Sequence, residues 1–379
     1  MPRLYEGVLN SRQMLELEAA GIITRAGGGI KAEESAMDLH LGTEGWELKG
    51  SIKQIAVLDD QGRLVRETVA DICNTHGKAF ALDKAGVRLE KSKTYVVKLQ
   101  ESVAFSKYPG LSGEATGKSS VGRLDVLTRL LADGSPEYER VPPGYHGPLY
   151  VEIIPISFPV VIKPGVSLNQ LRIHCGGMKP MATTVGRRLL FDSDDGSQFS
   201  VLAQERKTLS VYLKGVDDRE VVAYRLLADK DLPPIDLSNK KSADPKQYFE
   251  PLRAEEGTLI IEVDRFYILR SVERLRLPED IAVTGMAYTE NFGELRIHYA
   301  GFAHPWFGTG RTDNRVGTPL IFEVRAHNFP ILLRHREVLA TIHFYAMSEA
   351  IPTSERTQKD YSAQELQLSS YFTSGQVSG

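Results

Sequence analysis

The sequence predicts a mainly β protein built from two tandem copies of one β domain, with a short N-terminal helix. Three observations predict it. Runs rich in Val, Ile, Leu and Tyr are short and broken by Pro and Gly clusters, as in sandwiches and barrels rather than strand–helix–strand units. Helical periodicity is weak beyond the N-terminus. The two halves of the chain also match each other at a constant spacing.

Taken in order, residues 9–25 (LNSRQMLELEAAGIITR) predict the helix. Ser11 is the expected N-cap, and Met14, Leu15, Leu17 and Ala20 give one apolar face before Gly21. Residues 93–105, 147–162 and 168–174 then read as strands. The second half repeats the style in GTLIIEVDRFYILRSVERLRL, GELRIHYAGF, TPLIFEVRAHNFPILLR and LATIHFYAM. Residues 228–252 are rich in Pro, Asp and Lys and read as a long surface connection. From about Pro352 the chain reads as a polar tail with a mobile end.

The repeat is in register over three segments. Pro148–Ile153 parallels Pro319–Val324, Pro159–Lys163 parallels Pro330–Arg334, and Leu168–Ile173 parallels Leu339–Phe344, each 171 residues apart. Glu101-Ser102-Val103 parallels Glu273-Arg274-Leu275 at 172. The expected domains are residues 1–180 and 181–379, with Glu323 in the place of Glu152. The copies are unequal. Gly117–Arg123 (GKSSVGR) falls on Tyr288–Glu294 (YTENFGE), which has lost the Lys, both Ser and the Arg.

Composition narrows the class. A chain of 379 residues with 42% hydrophobic and 25% charged residues is ordinary for a globular protein. The formal net charge of −3 gives no global basic field, so nucleic acid is not an expected partner. No apolar run reaches the roughly 18 residues of a membrane span, so no membrane partner is expected. The N-terminal segment has no apolar core of a signal peptide and carries acids, unlike a transit peptide. Cys73 and Cys175 cannot build a disulfide framework, and two reduced thiols fit a cytoplasmic protein.

Two segments could carry chemistry. ATGKSSVGR (115–123) concentrates small residues, two hydroxyls and two cations, the donors that polyphosphate oxygens need. It is not a P-loop, whose earlier Gly is missing at the required spacing. A polar turn of solvated charges would have the same composition. The second segment is Val141–Gly147 (VPPGYHG), a stiff turn feeding a strand with Glu152 in the apolar text PLYVEII. If buried, that carboxylate would have a raised pKa suited to proton shuttling. The alternative is an outward-facing residue on an alternating strand. The zinc deaminase pattern HxE…PCxxC is absent, as are HExxH, GxSxG and GxGxxG. The nine His are scattered, so no metal site is expected.

These residues resemble the dCTP deaminase branch of the dUTPase-like superfamily. Gly117–Arg123 resembles its Gly-Arg/Lys-Ser-Ser…Arg motif. Pro142–Gly147 and Glu152 resemble its Asp-Pro-Gly-Trp hairpin and the following glutamate strand. Ser35–Gly42 resembles its SxDLRLG strand, Glu101–Val103 its ExV strand, and Ile162–Gly165 its LRPG turn. Lys359, Tyr361 and Gln364 resemble a tail that folds over the triphosphate. The match covers most of residues 30–176 and, more loosely, 258–365, and the length fits a double-length bacterial form. Pro142 stands where the family has Asp, Tyr145 where it has Trp, and residues near Ala132–Glu137 are inserted.

The resemblance implies tandem dUTPase-like distorted β-barrel or jelly-roll domains. It implies deamination of dCTP to dUTP and ammonia, in the supply of dUMP and dTTP. Glu152 would activate water, with Ser119 and Arg123 as further catalytic residues. Lys118, Ser119, Ser120, Arg123, Gly144, Tyr145, His146, Lys359, Tyr361 and Gln364 would bind substrate. Mg²⁺ would accompany the triphosphate, no zinc would take part, and dTTP or dUTP would be an inhibitor. Sites between subunits point to a homotrimer. Rival readings are a dUTPase or a bifunctional enzyme releasing dUMP, a nucleotide-binding regulator without turnover, and a duplicated β interaction protein.

Overall fold

The computed structural model describes residues 2–52, 56–58, 60–181, 189–194, 196–197, 208–215, 220–227, 231–287, 295–298, 301–356 and 364–377. Antiparallel strands dominate it. In the first copy the strands lie in the order Val126–Ala132, His146–Pro155, Thr94–Ala104, Ala36–Leu48, Ser167–Cys175, Leu111–Gly117 and Arg140–Val141.

The second copy repeats both ends of that order. Leu295–His298, Thr318–Ala326 and Phe266–Leu275 form one run. Thr208–Ser210, Val338–Ala346, Ile281–Ala287 and Phe302–Ala303 form another. A side ladder recurs too: Val160–Ile162 with Val87–Leu89, and Ile331–Arg334 with Thr258–Ile261. The 171-residue spacing is therefore a repeat of strand pairing as well as of letters.

Alternation decides what each strand buries. On His146–Pro155, Leu149, Val151 and Ile153 enter the first core, and Tyr150 and Glu152 take the other face. That face is roofed in the first copy. Trp46, Leu48, Ile52, Val69 and Cys73 pack there with Tyr150, around helix Val69–His76. On Thr318–Ala326, Phe322, Val324 and Ala326 enter the second core. The opposite face carries Ile321, Glu323 and Arg325, and Ile321 packs against the first core.

The structure corrects four local expectations. The first helix spans Ser11–Ala19, and its N-cap is Asn10 rather than Ser11. Asn10 accepts from the Gln13 backbone N–H, and the Gln13 side chain returns to the Asn10 N–H in a capping box. Ile23–Arg25, expected as helix, pairs with Thr94–Ala104 as a strand. Helix Val69–His76 was not expected, because its short apolar face is legible only against the strand it covers.

The segment 228–252 is more than a surface connection. Ile235–Asp236 pairs in parallel with Val160–Ile162 of the first copy, and Tyr248 and Phe249 enter the first core. The tail docks as well. Leu366, Leu368, Tyr371 and Phe372 are buried in the first core, and Phe372 meets the rings of Tyr248 and Phe249. A polar average hid these apolar anchors, spaced along an irregular segment.

Candidate active site

Strand Leu111–Gly117 ends at Lys118, whose N–H donates to the Leu168 carbonyl (2.8 Å). A single helical turn, Ser119–Gly122, follows. Lys118 Nζ lies 2.6 Å from Asp38 Oδ2, so the first-copy strand of the DLHLG text holds the loop's first cation. Arg123 is buried, and its guanidinium links three pieces of chain. Its Nε donates to Ser119 Oγ (3.1 Å), Nη1 to the Gln367 carbonyl (3.0 Å) and Nη2 to Gln364 Oε1 (2.6 Å). Ser120 is buried too, and its carbonyl accepts from Ser369 Oγ (2.5 Å).

The structure thus gathers Lys118, Ser119, Ser120, Arg123 and Gln364 at one place. The tail reaches the loop from the far end of the chain. Lys359 and Tyr361 lie outside the described residues.

Glu152 is fully buried, yet its partners are elsewhere. It accepts from Ser51 Oγ (3.0 Å), the Ile52 N–H (3.0 Å) and Arg129, through Nε (3.0 Å) and Nη2 (2.5 Å). None of these bonds reaches Lys118–Arg123. Arg129 is its direct cross-strand neighbour and also lies over the Tyr138 ring.

The hairpin's hydrogen bonds also go elsewhere. Gly144 adopts φ +76°, as a tight turn requires. Tyr145 folds into the first core, and its hydroxyl donates to the Pro148 carbonyl (2.5 Å). Burial raises its pKa. His146 is exposed, 3.4 Å from Ser106 Oγ.

What faces the loop comes from the second copy. A Cβ built on Gly122 would sit 2.5 Å from Glu323 Oε2 and 2.9 Å from its Cδ. Burial pushes the Glu323 carboxyl well above its ordinary range; Arg123 pulls it down and Asp125 pushes it further up. Two residues along the strand, the Arg325 guanidinium pairs with Asp125 and donates to Ser157 Oγ (2.5 Å). Its Nε is 3.2 Å from each Asp125 oxygen. Glu323 and Arg325 thus grip both ends of one turn of the first copy.

The second copy also keeps the turn of the hairpin. Phe307 N–H donates to the His304 carbonyl (3.2 Å), as Tyr145 N–H does to Pro142 (3.2 Å). Trp306 holds φ +68° where the first copy has Gly144. The constant spacing pointed to Glu323 as a counterpart; its place beside Gly122 left no mark in the sequence.

An arginine group adjoins the tail. Glu365 accepts from Arg274 (2.6 and 3.0 Å) and Arg311 (2.9 Å) and lies 3.2 Å from Arg315. A separate cavity of about 440 Å³, lined by Lys214, Arg253 and His335 among others, contains none of the expected residues. Among the described residues, no three His, Cys, Asp or Glu side chains gather into a metal-holding group.

Two family models divide the chain between them. The N-terminal domain of 2'-deoxycytidine 5'-triphosphate deaminase matches residues 5–177, and the C-terminal domain of the same enzyme matches residues 184–372. The chain belongs to the dCTP deaminase family.

A solved structure agrees. The 2'-deoxycytidine 5'-triphosphate deaminase from Agrobacterium tumefaciens aligns with a TM-score of 0.80 and 28% identity, over 91% of this chain and 97% of that one. A salicylate 1,2-dioxygenase from Pseudaminobacter salicylatoxidans aligns with a TM-score of only 0.13 at 10% identity, over 91% and 85% of the two chains. No curated protein matches the sequence. The deaminase is a hydrolytic enzyme of mainly β fold, and no helix among its described residues is long and apolar enough to cross a membrane.

Proposed function

We propose that this deaminase hydrolyses dCTP to dUTP and ammonia without zinc, through a water activated by a buried glutamate. The carrying observation is the Ser119–Arg123–Gln364 network lying against a buried carboxylate of raised pKa. Burial makes such a carboxylate a stronger base than an exposed one, which suits it to take a proton and return it. Water attacks C4 of cytosine as the carboxylate accepts one proton, which passes to N3. The second proton then reaches N4, the C4–N4 bond breaks, and ammonia leaves. Both protons of the water are used, and the carboxylate returns to its starting state.

Ser119 Oγ, which accepts from Arg123, would hold the water. Lys118 and the serine turn supply donors for the triphosphate, and Mg²⁺ arrives as part of that substrate. The tail closes over the loop through Gln364 and Gln367. The two free cysteines fit a reducing cytoplasm, and a homotrimer is the assembly proposed.

The test is to incubate the enzyme with dCTP and Mg²⁺ and quantify ammonia, dUTP and dUMP separately. Equal amounts of ammonia and dUTP are expected. Nucleotide binding without ammonia would defeat the reading, and dUMP with pyrophosphate would replace its product.

A further inference from the structure

We infer that each chain builds one composite site within itself, the first copy supplying the Ser119–Arg123 loop and the second copy supplying the water-activating carboxylate, Glu323. This rests on the deaminase reading above and assigns its carboxylate.

Geometry carries it first. Glu323 touches the loop at Gly122, and Arg325 on the same face of the same strand locks Asp125 just past the loop. Residues two apart on a strand share a face, so the ion pair that seats the loop also sets the carboxylate beside it. Glycine at 122 leaves the room, since any side chain there would meet the Glu323 oxygens.

The losses of the two copies are complementary. The second copy lacks the Lys, both Ser and the Arg of the motif, since residues 288–294 read YTENFGE. The first copy keeps its glutamate, but the face that carries it is roofed by Trp46, Ile52 and Val69. The oxygens of Glu152 accept four hydrogen bonds from Ser51, Ile52 and Arg129. Three of them converge on Oε1 and one on Oε2, so Arg129 and the covering segment hold Glu152 in place as a buried ion pair. The second copy lacks that guanidinium, because His298 occupies the cross-strand position that Arg129 holds in the first. Each copy has kept the half that the other gave up. Glu152 is then a structural ion pair that closes the vacated face.

Three measurements test the assignment. Glu323→Gln should lower kcat for ammonia release by about 10² to 10⁴ while dCTP binding, read by calorimetry, persists and shows that the variant folds. Glu152→Gln should keep turnover and lose melting temperature. Mixing Ser119→Ala chains with Glu323→Gln chains by co-refolding should give no more activity than the two separately. A site shared between chains would instead recover roughly a quarter of wild-type activity on random mixing. Recovery on mixing, or a loss of turnover that falls on Glu152 and spares Glu323, overturns the inference while leaving the deaminase reading intact. Failure of the wild-type enzyme to release ammonia removes the reading itself.

Discussion

Gly122 stands where the loop meets Glu323, and a methyl group there has a defined victim. The nearest atoms to a Cβ at 122 are the two oxygens and the Cδ of Glu323, the free end of a flexible side chain. Gly122→Ala should therefore displace the carboxylate more than the fold. The expected result is a drop in kcat of about tenfold or more with a melting temperature within a few degrees of wild type, checked by steady-state kinetics and thermal melts.

Glu139 offers a second test at this scale. Burial pushes its carboxyl from 4.5 to about 8, only partly offset by the Leu130 N–H and Arg129. Its Oε1 is enclosed without a hydrogen-bond partner. The folded chain keeps a proton that the unfolded chain releases above its ordinary pKa, so stability falls as pH rises from about 4.5 to 8. Glu139→Gln should flatten that slope, which approaches ~1.4 kcal/mol per pH unit for one group. Denaturant melts at pH 5 and pH 8 check it. Identical slopes in variant and wild type would refute the burial argument.

At the scale of elements, the tail joins core and site. Phe372 is 2% exposed and packs on Tyr248 and Phe249, while Ser369, Gln367 and Gln364 a few residues earlier bind Ser120 and Arg123. Phe372→Ala should cost about 3–5 kcal/mol, the range for truncating a buried aromatic. It should also raise KM for dCTP, because the tail that grips Arg123 loses its anchor. Urea melts and kinetics on one preparation separate the two effects. Unchanged stability would show that the tail is not docked as described.

At the scale of the whole molecule, polar groups are buried between the copies beside the shared apolar core. Arg172 is fully buried, and Nη1 donates to Thr284 Oγ1 (3.1 Å) and the Val283 carbonyl (3.2 Å) of the second copy. Nη2 donates to Ser35 Oγ (3.3 Å) and the Ala303 carbonyl (3.4 Å). The guanidinium also lies 3.9 Å over the Phe302 ring. Burial lowers its pKa to about 10, opposed by Glu114, which accepts from Thr284 across the same boundary. Arg172→Ala takes the donor from both carbonyls, Ser35 and Thr284, and removes one of the positive charges that offset Glu114, which keeps Arg140. It should cost about 3–5 kcal/mol, as removing one side of a buried ionic network does. Loss of activity should follow the same denaturation curve, because the composite site exists only while the copies stay in register. Activity outlasting the melt of either copy would contradict this.

The sequence by itself determined the strand content, the repeat, the phosphate-binding composition of residues 117–123 and the equivalence of Glu152 with Glu323. These are local or periodic properties. Alternation says which side chains share a face, and a constant spacing says which positions correspond. What covers a face is a long-range property that alternation does not encode. PLYVEII and PLIFEV look alike as text, yet helix Val69–His76 roofs one glutamate and the Ser119–Gly122 turn meets the other. The docking of Tyr248 and Phe372 was hidden for the same reason, since a few apolar anchors in polar text gain meaning only from the groove that receives them. Tertiary structure alone decided that Glu323 of the second copy lies beside Gly122 of the first.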